Sequence, residues 1–433
     1  VLVIKKLHIQ LEGLVEGTRF NPRYRMDLER PFIQLSRDPE GSFHLGGLKL
    51  PPEKNSEHPL PMPHAVTLRE GELRLVAVGD EDRILSAFQG LEGHFKNEPG
   101  KGAITLSLHG MDALKGDYDL KVSRSSTEAP VSLALTVQSV QLESFTHLVP
   151  PSLTWQPLSG EISGQLDLLV TPSDHALQEV ALSKFSGDHL HFRQTDAAEK
   201  ALSIDHIEAE HLSLAPPIHH YRAEGIEVLN LSGPNDHVDR ISAPLFDSEA
   251  PPHSNPMPPI RLIGMTHTLT QISEMTLEGF HPRDANDLFL LDAMGIRSIT
   301  GPRVNADQID FKGIRFDPNA GLLSAESGQS AEISGVFGHL TRIKGEGVHL
   351  NFHDDHLALN RLEFGQSHTK TFQTAGGYAE GIDWDRASHT IRIHHTHLDH
   401  SNMARVWMEQ LDAMETQFNT PTQQLQMLKL TAR

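Results

Sequence analysis

Apolar and polar residues alternate along much of this chain, and the alternation often restarts at a glycine. Residues 71–75, 102–106, 116–120 and 164–168 all begin with glycine and continue in alternation, and residues 347–350 are a shifted variant. Period-two alternation places Leu, Ile and Val on one face of a strand and polar side chains on the other. The pattern predicts many antiparallel strands with one apolar face. What covers that face decides what the protein does.

The clearest half-buried strand is predicted at residues 131–137, where the alternation has no break, and further strands are expected through the rest of the chain. Short helices are predicted at 143–149, 284–294 and 401–416, with another beginning at Thr420 and Pro421. The 401–416 prediction rests on apolar residues that recur at helical spacing. They are Met403, Val406, Trp407, Leu411 and Met414, together with Gln410.

The expected fold class is mostly β, an elongated antiparallel sheet curled into a groove (β-taco-like) with a few short helices. Proline-rich stretches at 51–63 and 250–259 interrupt the strands. We expect a first β-groove segment over 1–172, a β continuation over 173–249 and a loop or hinge at 250–259. A second β segment over 260–400 and a helical segment over 401–433 follow. A strand run ending in a helix, at 131–149 and again at 390–416, indicates two related halves.

Composition excludes some classes of function. The net charge is −20 and the acidic residues are spread along the chain, which argues against nucleic acid as a partner. Apolar residues make up 38%, a share that suits thin two-faced sheets. There is no cysteine, which excludes disulfides, Cys-ligated zinc and thiol catalysis, and which fits an oxidising compartment such as the bacterial envelope.

Four stretches carry a resemblance to a known family. They are residues 26–35, 41–45 and 66–75, and residues 157–168 after a predicted helix. Their order resembles the AsmA-like and TamB-like envelope proteins of Gram-negative bacteria, best over about residues 20–170. The resemblance implies a periplasmic protein whose β-groove conducts phospholipids between the inner and outer membranes or assists outer-membrane assembly. It also implies inner- and outer-membrane envelope proteins as partners and an inner-membrane anchor. That anchor would lie in a segment absent from this chain, which opens at Val1 within a predicted strand.

Pattern alone leaves two interpretations of the apolar face. In a lipid carrier it lines a groove for phospholipid acyl chains, whereas in a β-sandwich a second sheet covers it. The sandwich would make the protein a structural or interaction module of the cell envelope. The residues expected to face a groove are Leu133, Leu135, Val137, Leu166 and Leu168.

Histidines are numerous, 28 in all, and residues 395–400 match the H-x-H-x-D-H signature of the metallo-β-lactamase superfamily. A metal-dependent hydrolase centred on His395, His397, Asp399 and His400 is therefore an alternative. That fold needs further histidine ligands downstream, and the chain has none after His400. No nucleophile elbow, phosphate-binding loop or Rossmann fingerprint is present. We expect a protein that is not an enzyme and that needs no cofactor.

Overall fold

The computed structural model is built almost entirely of strands. It describes residues 2–16, 19–37, 43–45, 48–49, 63–77, 84–98, 101–112, 116–145, 154–171, 177–195, 200–215, 220–247, 258–279, 289–302, 304–317, 319–335, 338–351, 353–354, 356–369, 372–385, 387–403, 406–419 and 424–433. These hold 27 strands and one short 3₁₀ helix, Leu142–Phe145. The predicted mostly β, antiparallel fold class is confirmed. No described helix has the length and apolar character needed to cross a membrane.

The chain divides into two compact units, Val1–Val228 and Leu229–Arg433. The strands of the first unit are β1 (Leu2–Glu16), β2 (Arg19–Arg37), β3 (Phe43–Leu45), β4 (Leu48–Lys49), β5 (Ala65–Ala77), β6 (Ile84–Glu98), β7 (Ala103–Asp112), β8 (Asp117–Arg124), β9 (Val131–Gln141), β10 (Trp155–Val170), β11 (Leu177–Gln194), β12 (Ala201–Ala215) and β13 (His220–Ser232), whose last residues belong to the second unit. Strand β1 pairs antiparallel with β2, and β2 pairs in parallel with β5. From β5 to β12 each strand pairs antiparallel with the next.

The second unit continues with β14 (Asp236–Asp247), β15 (Ile260–His267), β16 (Thr270–Glu278), β17 (Phe289–Thr300), β18 (Val304–Asp317), β19 (Leu322–Gly335), β20 (Gly338–Asn351), β21 (His356–Phe364), β22 (Gln366–His368), β23 (Phe372–Thr374), β24 (Gly376–Asp385), β25 (Thr390–Met403), β26 (Val406–Asn419) and β27 (Gln424–Ala432). From β14 to β21 each strand pairs antiparallel with the next, and β24 to β27 extend the same order from β21. The short strand β22 pairs with β20 beyond the end of β21, and the short strand β23 pairs with β25 beyond the end of β24. Strands β22 and β23 also pair with each other.

The second unit is a tandem repeat of 34 residues, and each repeat is one strand pair. Phe316, Leu350, Trp384 and Phe418 occupy equivalent places two strands apart, each separated by 34 positions in the chain. The interval of 34 residues also holds from β14 onward, because Met265 pairs with both Val238 and Ile272, which are 34 positions apart. The first unit has no constant spacing. There Phe95, Val122 and Leu168 are the equivalent residues, and the intervals between them are 27 and 46.

Residues in the left-handed conformation recur at regular places within strands of the second unit, and each one interrupts the period-two alternation of apolar and polar residues. Gly313, Gly347 and Gly381 each have φ of 60°, a conformation that glycine adopts without steric cost. Across such a residue the apolar face advances by three positions instead of two. Gly345 and Val348 lie on one face, since a Cβ on Gly345 would come within 3.9 Å of Val348 Cγ2. At Gly313, Gly347 and Gly381 the glycine therefore marks where the apolar face changes parity within a strand.

The predicted helices are wrong wherever the structure describes them, apart from one short turn. Residues 401–416 belong to β25 and β26, and the described part of 284–294 lies in β17. Met403 ends β25 and the other five residues behind this prediction lie on β26, where neighbours such as Val406 and Trp407 point to opposite faces. The helical spacing therefore combines residues from two faces of a strand. Only residues 142–145 of the first predicted helix region are helical, as a 3₁₀ turn, and the rest lies outside the described residues. Thr420 and Pro421 also lie outside them, as do most of the two proline-rich loops.

Candidate functional site

The apolar face of the first unit is organised in rows that run across the strands. A row is a set of side chains that pair directly on successive strands. The Leu133 row consists of Met26, Val66, Phe95, Leu106, Val122, Leu133, Leu168 and Val180. The Leu135 row consists of Leu28, Leu68, Gly93, Leu108, Leu120, Leu135, Leu166, Leu182 and Leu212. Because Leu133 and Leu135 are two positions apart on β9, the rows are adjacent on one face.

All five residues that the sequence predicts for a groove lie in this part of the face. Leu133 pairs with Leu168, and Leu135 pairs with Leu166. Val137 pairs with Gly164. Their placement on one face of neighbouring strands follows from the alternation alone, whereas their binding role stays a prediction.

The side chains of both rows are half-buried. No side chain of either row is fully buried. Gly93, which has no side chain, is the one buried residue of the two rows. The inner face of a β-sandwich would bury such residues almost completely. Within the described residues, the strands of this unit contact their neighbours in the sheet and the 3₁₀ helix. The side chains of these two rows are therefore partly accessible, whereas other apolar residues of the described first unit, such as Leu91, Val140 and Leu190, are fully buried.

The second unit repeats this arrangement with larger side chains. The Phe316 row consists of Phe289, Phe316, Leu323, Leu350, Leu357, Trp384, Ile391 and Phe418. The Val348 row beside it consists of Ala325, Val348, Leu359, Ile382, Ile393 and Thr416. Every member of the Phe316 row is half-buried. Eight strands at about 4.8 Å spacing make this row about 34 Å long.

The opposite face of the second unit carries a ladder of charged side chains. Arg361 Nη2 lies 2.8 Å from Glu363 Oε1, and Nη1 forms an ion pair with Glu380 on the next strand. The same guanidinium lies 4.3 Å from the ring centre of Tyr378. Hydrogen bonding to Glu363 raises the pKa of Arg361, so this cation stays charged. Opposite charges on neighbouring strands hold the register that keeps the apolar rows aligned.

The histidine cluster belongs to this ladder. His397 Nδ1 lies 2.7 Å from Asp412 Oδ1, and its Nε2 lies 3.2 Å from Asp399 Oδ1. His395 Nε2 lies 3.4 Å from the same Asp412 oxygen. The hydrogen bond with Asp412 raises the pKa of His397 and lowers that of Asp412. His395 and His397 of the H-x-H-x-D-H motif thus contact Asp412 on the next strand, and Asp399 contacts His397 within β25. His400 is a left-handed residue of the same strand.

Among the residues that the structure describes, no three His, Cys, Asp or Glu side chains converge as a metal ion would require. Two further described histidines, His206 and His356, make contacts of the same kind. His206 Nδ1 lies 2.7 Å from Asp188, which raises the pKa of His206, and His356 Nε2 lies 3.2 Å from Asp383. These contacts join adjacent strands.

Sequence reasoning found the rows of the first unit and missed those of the second. The signal was present, because residues 313–317, 347–351 and 381–385 share one motif at intervals of 34. Each begins with glycine and an aliphatic residue and ends with Asp or Asn after an apolar residue. Comparison of the chain with family models, with curated proteins and with solved structures finds no match.

Proposed function

We propose that the apolar faces of the two units bind the acyl chains of phospholipids. In the cell this would make the chain a periplasmic segment that carries lipid between inner and outer membranes or assists outer-membrane assembly. The observation that supports the proposal is the set of three apolar rows, the Leu133, Leu135 and Phe316 rows, which are eight to nine strands wide and whose side chains are half-buried and thus partly accessible. A surface of this kind needs an apolar partner in water.

The energetics favour an acyl chain as that partner. Burying a methylene group is worth about 0.8 kcal/mol, so leaving a chain of about sixteen carbons in water costs about 12 kcal/mol. A carrier must provide apolar cover without trapping its cargo. The Leu135 row meets this need, since every member from Leu28 to Leu212 is Leu except Gly93. Charged groups that would anchor a headgroup lie on the other face of the sheet, as Arg361 and Glu380 do.

The first test is lipid co-purification. The full chain is purified without detergent and extracted, and bound phospholipid is measured by mass spectrometry. We expect phospholipid in the wild-type extract, and after its removal we expect binding of a short-chain phosphatidylcholine that is monomeric in solution.

Two matched variants locate the binding surface. Leu135→Asp places a carboxylate in the middle of an apolar row, and Ala134→Asp places the same group on the opposite face of the same strand. Ala134 pairs with Lys121 and Asp167, among charged neighbours. We expect Leu135→Asp to lose most of the binding and Ala134→Asp to keep it, with both variants retaining a strand-rich circular dichroism spectrum. Equal binding by both variants, or a wild-type protein that binds no lipid, would contradict the proposal.

A further inference from the structure

Four of the ten large apolar side chains that are exposed in the described part of the second unit lie at one rim of its sheet. Of the other six, Met427, Leu428 and Leu430 lie on the edge strand β27, and Ile263, Leu322 and Met414 lie on other strands. We define the hairpin rim as the strand ends that are joined by the β15–β16, β17–β18 and β25–β26 connections. Leu269 and Trp407 are each 74% exposed there, Val406 is 59% exposed and Val304 is 43% exposed. Soluble proteins rarely hold a tryptophan and several aliphatic side chains in water without a partner.

The opposite rim of this unit is polar where the structure describes it. Its turns are closed by side chains that accept hydrogen bonds from the backbone. Asp317 Oδ1 accepts from two backbone N–H groups at 2.9 Å, Asn351 Oδ1 from His353 N at 2.9 Å and Asp385 Oδ1 from Ser388 N at 3.1 Å. One large apolar side chain, Leu322, is exposed among the described residues of that rim. The two ends of the strands therefore have different chemistry, and the polar turn residues Asp317, Asn351 and Asp385 recur at intervals of 34 residues.

The first unit shows the same asymmetry independently. Met111, Trp155 and Leu158 are its exposed large apolar residues away from the edge strand β1. Met111 ends β7, and Trp155 and Leu158 begin β10, so all three lie at the end of the sheet where β7 and β9 finish. At the other end of these strands, the described turns at 101–102 and 125–130 hold Lys101, Glu128 and small or polar residues.

The hairpin rim of the second unit is continuous with the apolar face. Val304 lies two positions from Ala306 on β18, and therefore on the same side of that strand. Ala306 pairs with Ile299 and Ile333, which form one more apolar row. An acyl chain arriving at Val304 thus meets apolar side chains from the rim to the Phe316 row without crossing the charged ladder.

We propose that the hairpin rim docks on the surface of a phospholipid bilayer and admits acyl chains to the apolar face; this inference rests on the proposed function. Tryptophan and aliphatic side chains at exposed tips are the groups that partition into the interfacial region of a bilayer. With a net charge of −20, the chain cannot rely on general attraction to anionic lipid. Docking depends on apolar insertion, so it persists at high salt and on vesicles of zwitterionic phosphatidylcholine.

The test compares two exposed sites on opposite rims. The double variant Leu269→Ser with Trp407→Ser removes apolar tips from the hairpin rim, and Leu322→Ser removes the exposed leucine of the opposite rim. All three side chains are exposed, so neither variant disturbs a core. The full-length wild type and both variants are mixed with phosphatidylcholine vesicles that contain a self-quenched fluorescent phospholipid, and the rate of its transfer to the protein is measured.

We expect the double variant to slow transfer about tenfold or more, because interfacial binding scales with buried apolar area. Leu322→Ser should transfer at the wild-type rate. Binding of monomeric short-chain phosphatidylcholine should be unchanged in both variants, since the rows remain intact. Transfer by the double variant at the wild-type rate, or an equal loss in Leu322→Ser, would overturn the rim assignment while short-chain binding still upheld the proposed function. A wild type that binds no short-chain lipid would refute both.

Discussion

Removal of one complete repeat should leave the second unit folded. Deleting residues 314–347 joins Gly313 to Val348, and the two glycines of this deletion, Gly313 and Gly347, occupy equivalent places with the same φ of 60°. In the shortened protein Val348 follows Gly313 where Ile314 did, beside Leu291 on β17. On the other side Val348 keeps its partner Leu359. The Phe316 row loses Phe316 and Leu323, the Val348 row loses Ala325, and both rows stay continuous.

The expected change in the denaturant m-value follows from the share of the second unit that is deleted. Thirty-four residues are about one sixth of Leu229–Arg433. The denaturant m-value scales with the surface exposed on unfolding, so the m-value of this unit's transition should fall by about one sixth. In a repeat array each repeat contacts only its neighbours, so the remaining repeats keep their interfaces. Urea unfolding followed by circular dichroism measures both the m-value and the cooperativity.

A deletion of half that length is the control. Removing residues 314–330 joins Gly313 to Ala331 and fuses parts of β18 and β19, which run in opposite directions. We expect this smaller deletion to abolish the cooperative transition of the second unit, because every later strand would have to reverse its direction. The repeat interpretation is wrong if the two deletions behave alike, or if the 34-residue deletion loses cooperative unfolding.

Two further predictions concern single residues. Because Asp412 raises the pKa of His397, the stabilising contribution of the charged imidazole is complete below pH of about 6.5 and is lost as the pH rises through the raised pKa. Urea unfolding at pH 6 and pH 8 should therefore show a larger fall in stability for wild type than for His397→Gln, and equal falls would count against this ion pair. Gly347→Ala should destabilise by about 1 kcal/mol or more, since φ is 60° and a Cβ would lie 2.1 Å from Asn360 Nδ2. Its control, Gly295→Ala, leaves 3.4 Å to Asp310 Oδ1 and should change stability by less than about 0.5 kcal/mol; a loss as large as that of Gly347→Ala would refute the conformational explanation.

Alternation of apolar residues was enough to predict the strands and the placement of Leu133, Leu135, Leu166 and Leu168, since side-chain direction in a strand has period two. It failed at residues 401–416, where apolar residues on both faces of β26 recur at three and four positions, as they do on one face of a helix. Local pattern cannot distinguish the two, because β26 is fixed as a strand by its pairing with β25 and β27. The partners of the histidines were also beyond reach, since Asp412 meets His397 only through the register of β25 with β26.

The pairing order has a consequence for the rate at which the chain folds. Nearly every strand pairs with the next one along the chain, so each pairing closes a short loop and costs little chain entropy. Folding of the second unit can nucleate at any hairpin and spread in both directions. The parallel pairing of β2 with β5 spans residues 38–64 and closes the longest loop among the pairings described in the first unit. We expect that pairing to form last, as a slow kinetic phase in the folding of the first unit that the folding of the second unit does not show.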